Sequence, residues 1–263
     1  SLVDDWSEKI FVQDVAIEDV SAEFGVFGIH GPSATEKVAS VLNHAGAPEP
    51  ELHFDRGSMG DAGVTVAASD NPTGEDGYTI ICGADDAPGV FDTLLNHGLN
   101  AAPFGEQTWD TLTVEAGTPR FETELDGVLP NTVGARHGVD FEKGCFIGQE
   151  VVSKVENRGR PSTRLIGVRL DEPCVAGDAL YADGDAVGEV TRAIDSPSLA
   201  EPIALAFCAS DAVDGPFTVH STAERGSDGD DPDEDASGVA VDADRVTLPF
   251  VDGGATSLRC PTY

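Results

Sequence analysis

The sequence predicts an α+β fold in two parts. A mixed domain with antiparallel sheets and packed helices is expected over residues 1–160, and a small all-β barrel or sandwich over 161–263. Three observations predict it. Strand-like runs alternate twice with helix-periodic runs before residue 120. The character changes at Pro161, after which short β-rich pieces recur between Gly and Pro turns. Apolar residues make up 40% of the 263, enough to fill cores of this size.

The elements follow in order. Phe11–Val20 sets Val12, Val15, Ile17 and Val20 in a loose alternation that suits a half-buried strand, and Phe24–His30 is a second strand. Gly31-Pro32 punctuates, then Ala34, Val38, Val41 and Leu42 fall at helical spacing. Gly63–Ala68 and Tyr78–Cys82 read as a β-pair around the turn-rich Asn71-Pro72-Thr73-Gly74. Asp85 and Asp86 can cap a helix, with Pro88 in its first turn, Val90, Phe91, Leu94 and Leu95 as its apolar face, and Gly98 at its end. A further helix is expected over Glu106–Ala116, stopped by Gly117. Another is expected over Gly148–Asn157, with Val151, Val152 and Val155 on one stripe. Strands are expected at Leu165–Leu170, Ala186–Thr191, Ile203–Phe207, Phe217–His220 and Arg245–Leu248. Within an acidic stretch at about 223–240, Ser227–Gly238 lacks apolar anchors and reads as a disordered loop.

Charge bounds the function classes. Acidic residues number 48 against 15 basic ones, a net charge of −33, and only Lys9, Lys37, Lys143 and Lys154 are lysines. Such self-repulsion disfavours a compact state in dilute buffer. Molar salt shortens the Debye length to about 3 Å and screens it, so the chain reads as halophilic. The same charge argues against direct nucleic-acid binding, which needs a basic footprint. No apolar run reaches a membrane span, and no secretion leader opens the sequence. Cys82, Cys145, Cys174, Cys208 and Cys260 show no metal-ligand spacing, and their wide, odd-numbered distribution favours reduced thiols in a cytoplasm.

One stretch departs from the acidic background. Residues 143–169 hold six basic and two acidic side chains: Lys143, Lys154, Arg158, Arg160, Arg164 and Arg169 against Glu150 and Glu156. The functional reading is a site for an anionic ligand; the structural reading is pairing with nearby acids that holds the two domains together. Within this island Lys143-Gly144-Cys145-Phe146-Ile147-Gly148-Gln149-Glu150 sets glycines on both sides of a cysteine and runs into a helix start. Free N–H groups and the macrodipole favour anions there. Lys143 and the helix start would both activate Cys145 as a thiol; the alternative is a small buried apolar side chain. Gln149 and Glu150 either bind a ligand edge or cap the helix.

This octapeptide, followed by Arg158-Gly159, resembles the K-G-C-Y-x-G-Q-E signature and downstream R-G of the YgfZ-like proteins. These form a branch of the folate-binding superfamily of the glycine-cleavage T-proteins (GcvT, aminomethyltransferase). T-proteins are similar here but read K-G-D-F-x-G-R, so Cys145 and Gln149 point to the YgfZ branch. Gly31-Pro32-Ser33-Ala34 resembles the superfamily's G-P-x-A turn, Thr73–Tyr78 its T-G-E-D-G-Y segment and Leu112–Gly117 its L-R-L-E-A-G segment. Ser196-Pro197 with Ile203–Ala206 resembles the S-P…I-A-L-A run of its C-terminal barrel.

The resemblance implies a GcvT/YgfZ-like folate-binding domain followed by a small β-barrel, with tetrahydrofolate or a derivative as ligand. Tyr78, Glu115, Lys143, Gly144, Gly148, Gln149, Glu150 and Arg158 would be its binding residues, and Cys145 a reactive thiol. It implies a folate-dependent accessory of iron–sulfur enzymes, including some that modify tRNA. The alternative is an aminomethyltransferase that takes a one-carbon unit from a lipoyl carrier protein to tetrahydrofolate. Thr79 and Thr113 stand where T-proteins carry Glu and Arg. Ser1-Leu2-Val3-Asp4 resembles the middle of a family member, so the chain is expected to lack an N-terminal segment and a carboxylate within it.

Overall fold

In a computed structural model of the chain, residues 15–49, 52–146, 148–223 and 239–263 are described. They fall into two compact units, Ser1–Ser69 with Gly77–Pro103, and Asp70–Asp76 with Phe104–Tyr263.

The first unit is an antiparallel sheet in the order β1-β4-β3-β2. Its strands are β1 (Phe24–His30), β2 (Phe54–Met59), β3 (Ala62–Ala68) and β4 (Gly77–Gly83). Helices α1 (Ala34–Val41) and α2 (Ala87–Asn96) belong to it as well. Alternation sets the core: Val64, Val66 and Ala68 of β3 share one cluster with Val38 and Val41 of α1 and with Val90 and Leu94 of α2. Phe91, expected on the apolar face of α2, is 43% exposed and stacks on Phe27 at 5.8 Å.

One expected strand fails here and one unexpected strand forms; of the strand expected at 11–20, residues 11–14 lie outside the described ones. Residues 15–20 form no strand, and Val15, Ile17 and Val20 are exposed. Alternation needs a pairing partner to become a strand, and none is present among the described residues. Conversely β2, whose Phe-Asp-Arg-Gly-Ser-Met lacks an apolar rhythm, is drawn into the sheet by a tight hairpin. Met59 faces Ala62 across Gly60-Asp61, with Gly60 at φ +59°.

The second unit carries α3 (Glu106–Glu115), a π-helical turn at Phe121–Leu125 and α4 (Gln149–Arg158). It also carries the strands β5 (Thr163–Leu170), β6 (Ala179–Ala182), β7 (Asp185–Ser196), β8 (Glu201–Ala209), β9 (Phe217–Ser221) and β10 (Val239–Val246). The six strands close a barrel in the order β10-β5-β8-β7-β6-β9, which settles the choice between barrel and sandwich. Ala204, Ala206 and Cys208 of β8 join the barrel core, while Ile203 and Leu205 pack outward with Val114 of α3 and Phe250. Burial of both faces explains the unbroken apolar run Ile203–Phe207. The strand expected at Arg245–Leu248 starts earlier, at Val239, and β6 carried too little signal in its four residues to be expected.

By contacts, α3 and α4 group with the barrel, so the compact units do not divide where the strand character changes. Of the loop expected at 223–240, residues 224–238 lie outside the described ones. Among the described residues no helix is long and apolar enough to cross a membrane. None of their His, Cys, Asp and Glu side chains form a group able to hold a metal ion.

Candidate functional site

The loop 140–148 enters α4 through a fold of its own making. Asp140 Oδ1 accepts hydrogen bonds from the backbone N–H groups of Glu142 and Lys143 (2.8 and 3.2 Å), which curls the chain back. Gly148 then adopts φ +91°, a left-handed conformation that a side chain would strain. Gln149 Oε1 accepts from the Phe146 N–H at 3.1 Å and fixes the turn. No side chain caps α4; the Gln149 N–H donates to the Phe146 carbonyl at 3.3 Å and the Val151 N–H to the Gly148 carbonyl at 3.1 Å, so what the helix start offers an anion is the positive end of its dipole.

Beside this helix start lies a cleft of about 270 Å³, lined among others by Phe141, Lys143, Phe146, Gln149, Glu150 and Ser153. Both aromatic rings are about half exposed. Each carries a cation over its face: Arg136 over Phe141 at 5.4 Å and Lys143 over Phe146 at 5.2 Å. The cleft thus sets flat apolar surface, a side-chain amide, the Lys143 ammonium and the carboxylates of Asp140, Glu150 and Glu156 within one concavity.

The expected site residues separate into groups. Lys143, Gly144, Gln149 and Glu150 line the cleft, and Gly148, which does not, caps the start of α4. Arg158 closes α4, and its side chain lies outside the described residues. Cys145 is exposed, which removes its reading as a small core residue. The other four thiols are buried. Burial, helped by Asp178, pushes Cys174 up to about 12, and burial pushes Cys208 and Cys260 to about 11. The cationic island also divides: Arg169 on β5 pairs with Glu201 at 2.9 Å, and Arg164 lies over the Tyr263 ring at 4.7 Å.

Tyr78 and Glu115 do not line the cleft. Tyr78 sits in the core of the first unit, 3% exposed, with its hydroxyl 2.8 Å from Thr35 Oγ1. Glu115, at the end of α3, is 6% exposed and held by the barrel. Ser196 Oγ and the Ser198 N–H donate to its Oε1, and Ser198 Oγ donates to Oε2 at 3.0 Å.

Sequence reasoning missed a heavily bonded buried side chain of this unit. Arg192 on β7, 5% exposed, donates through Nε to Glu124 Oε1 (2.9 Å). Its terminal nitrogens donate to Asp110 Oδ1 (3.0 Å), Thr113 Oγ1 (2.9 Å) and the Thr118 carbonyl (2.6 Å). It ties the barrel to α3 and to the π-helical turn. A lone arginine between Val190 and Ile194 in a strand run was the only available signal, and a register shift at that point hides even the alternation.

A strand-and-helix unit, a closed six-stranded barrel and a glycine-bounded loop feeding a helix start together define an α+β protein with a half-aromatic cleft beside that helix start. The comparisons name the family. The profile described as the GCVT N-terminal domain matches residues 3–143, and the glycine cleavage T-protein C-terminal barrel domain matches 163–252. The aminomethyltransferase of Geobacillus kaustophilus is 31% identical over 204 residues, 75% of this chain and 56% of that protein. That of Bacillus licheniformis is 31% identical over 221 residues (80% and 60%). That of Halalkalibacterium halodurans is 32% identical over 210 residues (77% and 56%). A crystal structure of glycine cleavage system aminomethyltransferase T from Bartonella henselae shares the fold. Its TM-score is 0.58 at 15% identity, covering 89% of this chain and 85% of that one.

The chain belongs to the glycine-cleavage T-protein family. It spans 56–60% of the length of these curated relatives. Their names favour the aminomethyltransferase side of the superfamily over the YgfZ-like branch to which Cys145 and Gln149 pointed.

Proposed function

We propose that this chain is the folate-binding part of an aminomethyltransferase, acting on a lipoyl-borne aminomethyl group with tetrahydrofolate as acceptor and ammonia as the second product. The observation that carries the ligand assignment is the cleft at the start of α4. A pterin is flat and needs stacking surface and a few aimed hydrogen bonds, while its glutamyl tail needs cations. Phe141 and Phe146 offer the rings, Gln149 the amide, and Lys143 and the open helix start the positive potential. Bound tetrahydrofolate would supply the nitrogen that takes up the one-carbon unit; the residues of this chain bind it, orient it and exclude water. With −33 of charge the protein would work in a salt-rich cytoplasm, where a lone surface cation attracts little.

Titration of the chain with 5-formyltetrahydrofolate in molar KCl tests this. Saturable one-to-one binding is expected, weakened several-fold by Lys143→Ala and by Gln149→Ala. Absence of saturable binding, or equal affinity in both variants, would refute it.

The exposure of Cys145 favours a second reading, in which a thiol on the same loop serves iron–sulfur enzymes in the YgfZ manner. Cys145→Ser separates the two. It should leave aminomethyl transfer intact under the first reading, and it should fail to restore iron–sulfur enzyme activity in a deletion strain under the second.

A further inference from the structure

The cleft at the start of α4 is braced from behind. Gly134, at φ +62°, lets the backbone approach the end of the chain closely: a Cβ there would lie 2.7 Å from the Thr262 nitrogen. The Thr262 N–H donates to the Gly134 carbonyl at 2.9 Å, and Ala135 and Thr262 form a parallel bridge. These contacts pin the 3₁₀ turn Arg136–Gly138, which the Val139 N–H closes by donating to the Arg136 carbonyl at 3.1 Å. Arg136 does not line the cleft, but its guanidinium reaches two side chains that do. Its Nη1 pairs with Glu156 Oε1, and its centre lies 5.4 Å from the centroid of the Phe141 ring. Glu156 is fixed in turn: its other oxygen accepts from Asn131 Nδ2 at 3.2 Å, and its side chain is 18% exposed. Gln149, Val152, Ser153 and Glu156 recur at i, i+3, i+4 and i+7 along α4 and all line the cleft. The carboxylate that anchors Arg136 therefore stands on the same helix face as the Gln149 amide. Phe141 is 58% exposed and belongs to none of the buried clusters among the described residues. An exposed side chain of that kind changes rotamer on the nanosecond scale unless something holds it.

We infer that Arg136 is a positioning residue of the cleft: tied to Glu156, it holds the Phe141 ring in place as a wall for a flat ligand. The inference rests on the pterin reading of the cleft, to which it adds a residue that never touches the ligand. A cation over the ring face is attracted by the ring's quadrupole. Ordering a mobile side chain on binding costs affinity, and a ring that is already ordered does not incur that cost again. Releasing Phe141 should therefore weaken a stacked ligand roughly three- to tenfold. The contact with Glu156 runs from a single nitrogen to a single oxygen. A lysine ammonium can reproduce such a one-point contact, whereas it could not replace a two-pronged one. The Arg136 side chain is 54% exposed, so its replacement should leave the fold intact.

The test reads the ring directly and then the ligand. The whole chain is labelled with 4-fluorophenylalanine and its ¹⁹F spectrum recorded in molar KCl without ligand. The Phe141 resonance is the one lost in Phe141→Leu. It should lie away from the free amino-acid position in the unaltered chain, return towards it in Arg136→Met, and stay displaced in Arg136→Lys. Glu156→Gln, which weakens the anchor and keeps the cation, should move the resonance part of the way. Calorimetric titration with 5-formyltetrahydrofolate should then show the three- to tenfold loss in Arg136→Met and rescue by Arg136→Lys. A merely structural arginine would leave the resonance where it is in a folded variant. Circular dichroism of each variant checks the fold; should Arg136→Met unfold, Glu156→Gln decides alone. The inference is overturned if the Phe141 resonance is unmoved in the folded variants, or if Arg136→Met binds 5-formyltetrahydrofolate as the unaltered chain does. If the unaltered chain binds no 5-formyltetrahydrofolate, the pterin reading fails, and the ring resonance still decides whether Arg136 holds Phe141.

Discussion

Replacing Arg192 by methionine should destabilise the second unit more than any single surface change. The guanidinium is 5% exposed and its partner Glu124 is fully buried. Removing it strips Glu124 Oε1 of its donor and takes one donor each from Asp110, which keeps Arg120, and from Thr113, which keeps the Trp109 carbonyl. Breaking a buried pair from one side costs about 3–5 kcal/mol. Glu124 Oε2 keeps the Arg120 N–H and the Thr123 hydroxyl, so the lower end, about 3 kcal/mol, is expected. For a chain of this length that is roughly 6–12 °C in Tm. Urea unfolding at two molar salt concentrations measures it. A buried pair is hardly screened, so the loss should be the same at both. Arg245→Met is the internal control: its partner Asp214 is 91% exposed, and the loss should stay below about 1 kcal/mol. A loss below about 1 kcal/mol for Arg192→Met, or one that shrinks with added salt, would refute the network as a buried clamp.

Four further outcomes are expected. Iodoacetamide at pH 8 should label Cys145 alone among the five thiols under native conditions, read by peptide mass spectrometry; comparable labelling of Cys208 would contradict its burial. The raised pKa values of Cys174, Cys208 and Cys260 mean that the folded chain holds protons the unfolded one releases above about pH 8.5. Stability should therefore fall as pH rises from there, less steeply in Cys174→Ala. Lys37 is 3% exposed and its ammonium donates to the carbonyls of His97 and Leu99, both at 2.6 Å, at the end of α2; Lys37→Met should cost about 2–3 kcal/mol in chemical unfolding, and a neutral result would show those carbonyls satisfied otherwise. Finally, the −33 net charge should make folding salt-dependent, with circular dichroism lost on dialysis well below molar salt; full native signal in dilute buffer would refute the halophilic reading.

Much of the fold was legible because it is written locally. β1 spans Phe24–His30 as its alternation predicts, and α1, α2 and α3 lie where the 3.6-residue rhythm places them. The site loop was legible for the same reason: two glycines, a lysine and a helix start within eight residues need no distant partner to be recognised. β2 and the stretch 15–20 show the limit from both sides. A strand exists where a neighbour offers hydrogen bonds, and sequence rhythm neither guarantees nor requires that neighbour.

The sequence by itself determined the periodic elements, the family's motifs and the acidity. These are properties of adjacent residues or of simple counts. Only the tertiary structure decided how charges are spent. It put Glu115 in the grip of Ser196 and Ser198, more than 80 residues away. It buried Tyr78 in a core, split the cationic island between a cleft and a barrel strand, and made Arg192 the hub of the second unit. Pairing of this kind depends on which surfaces close against each other, a long-range outcome of core packing. No local pattern of residue types encodes it, because one arginine in a strand reads the same whether it faces water or a buried carboxylate.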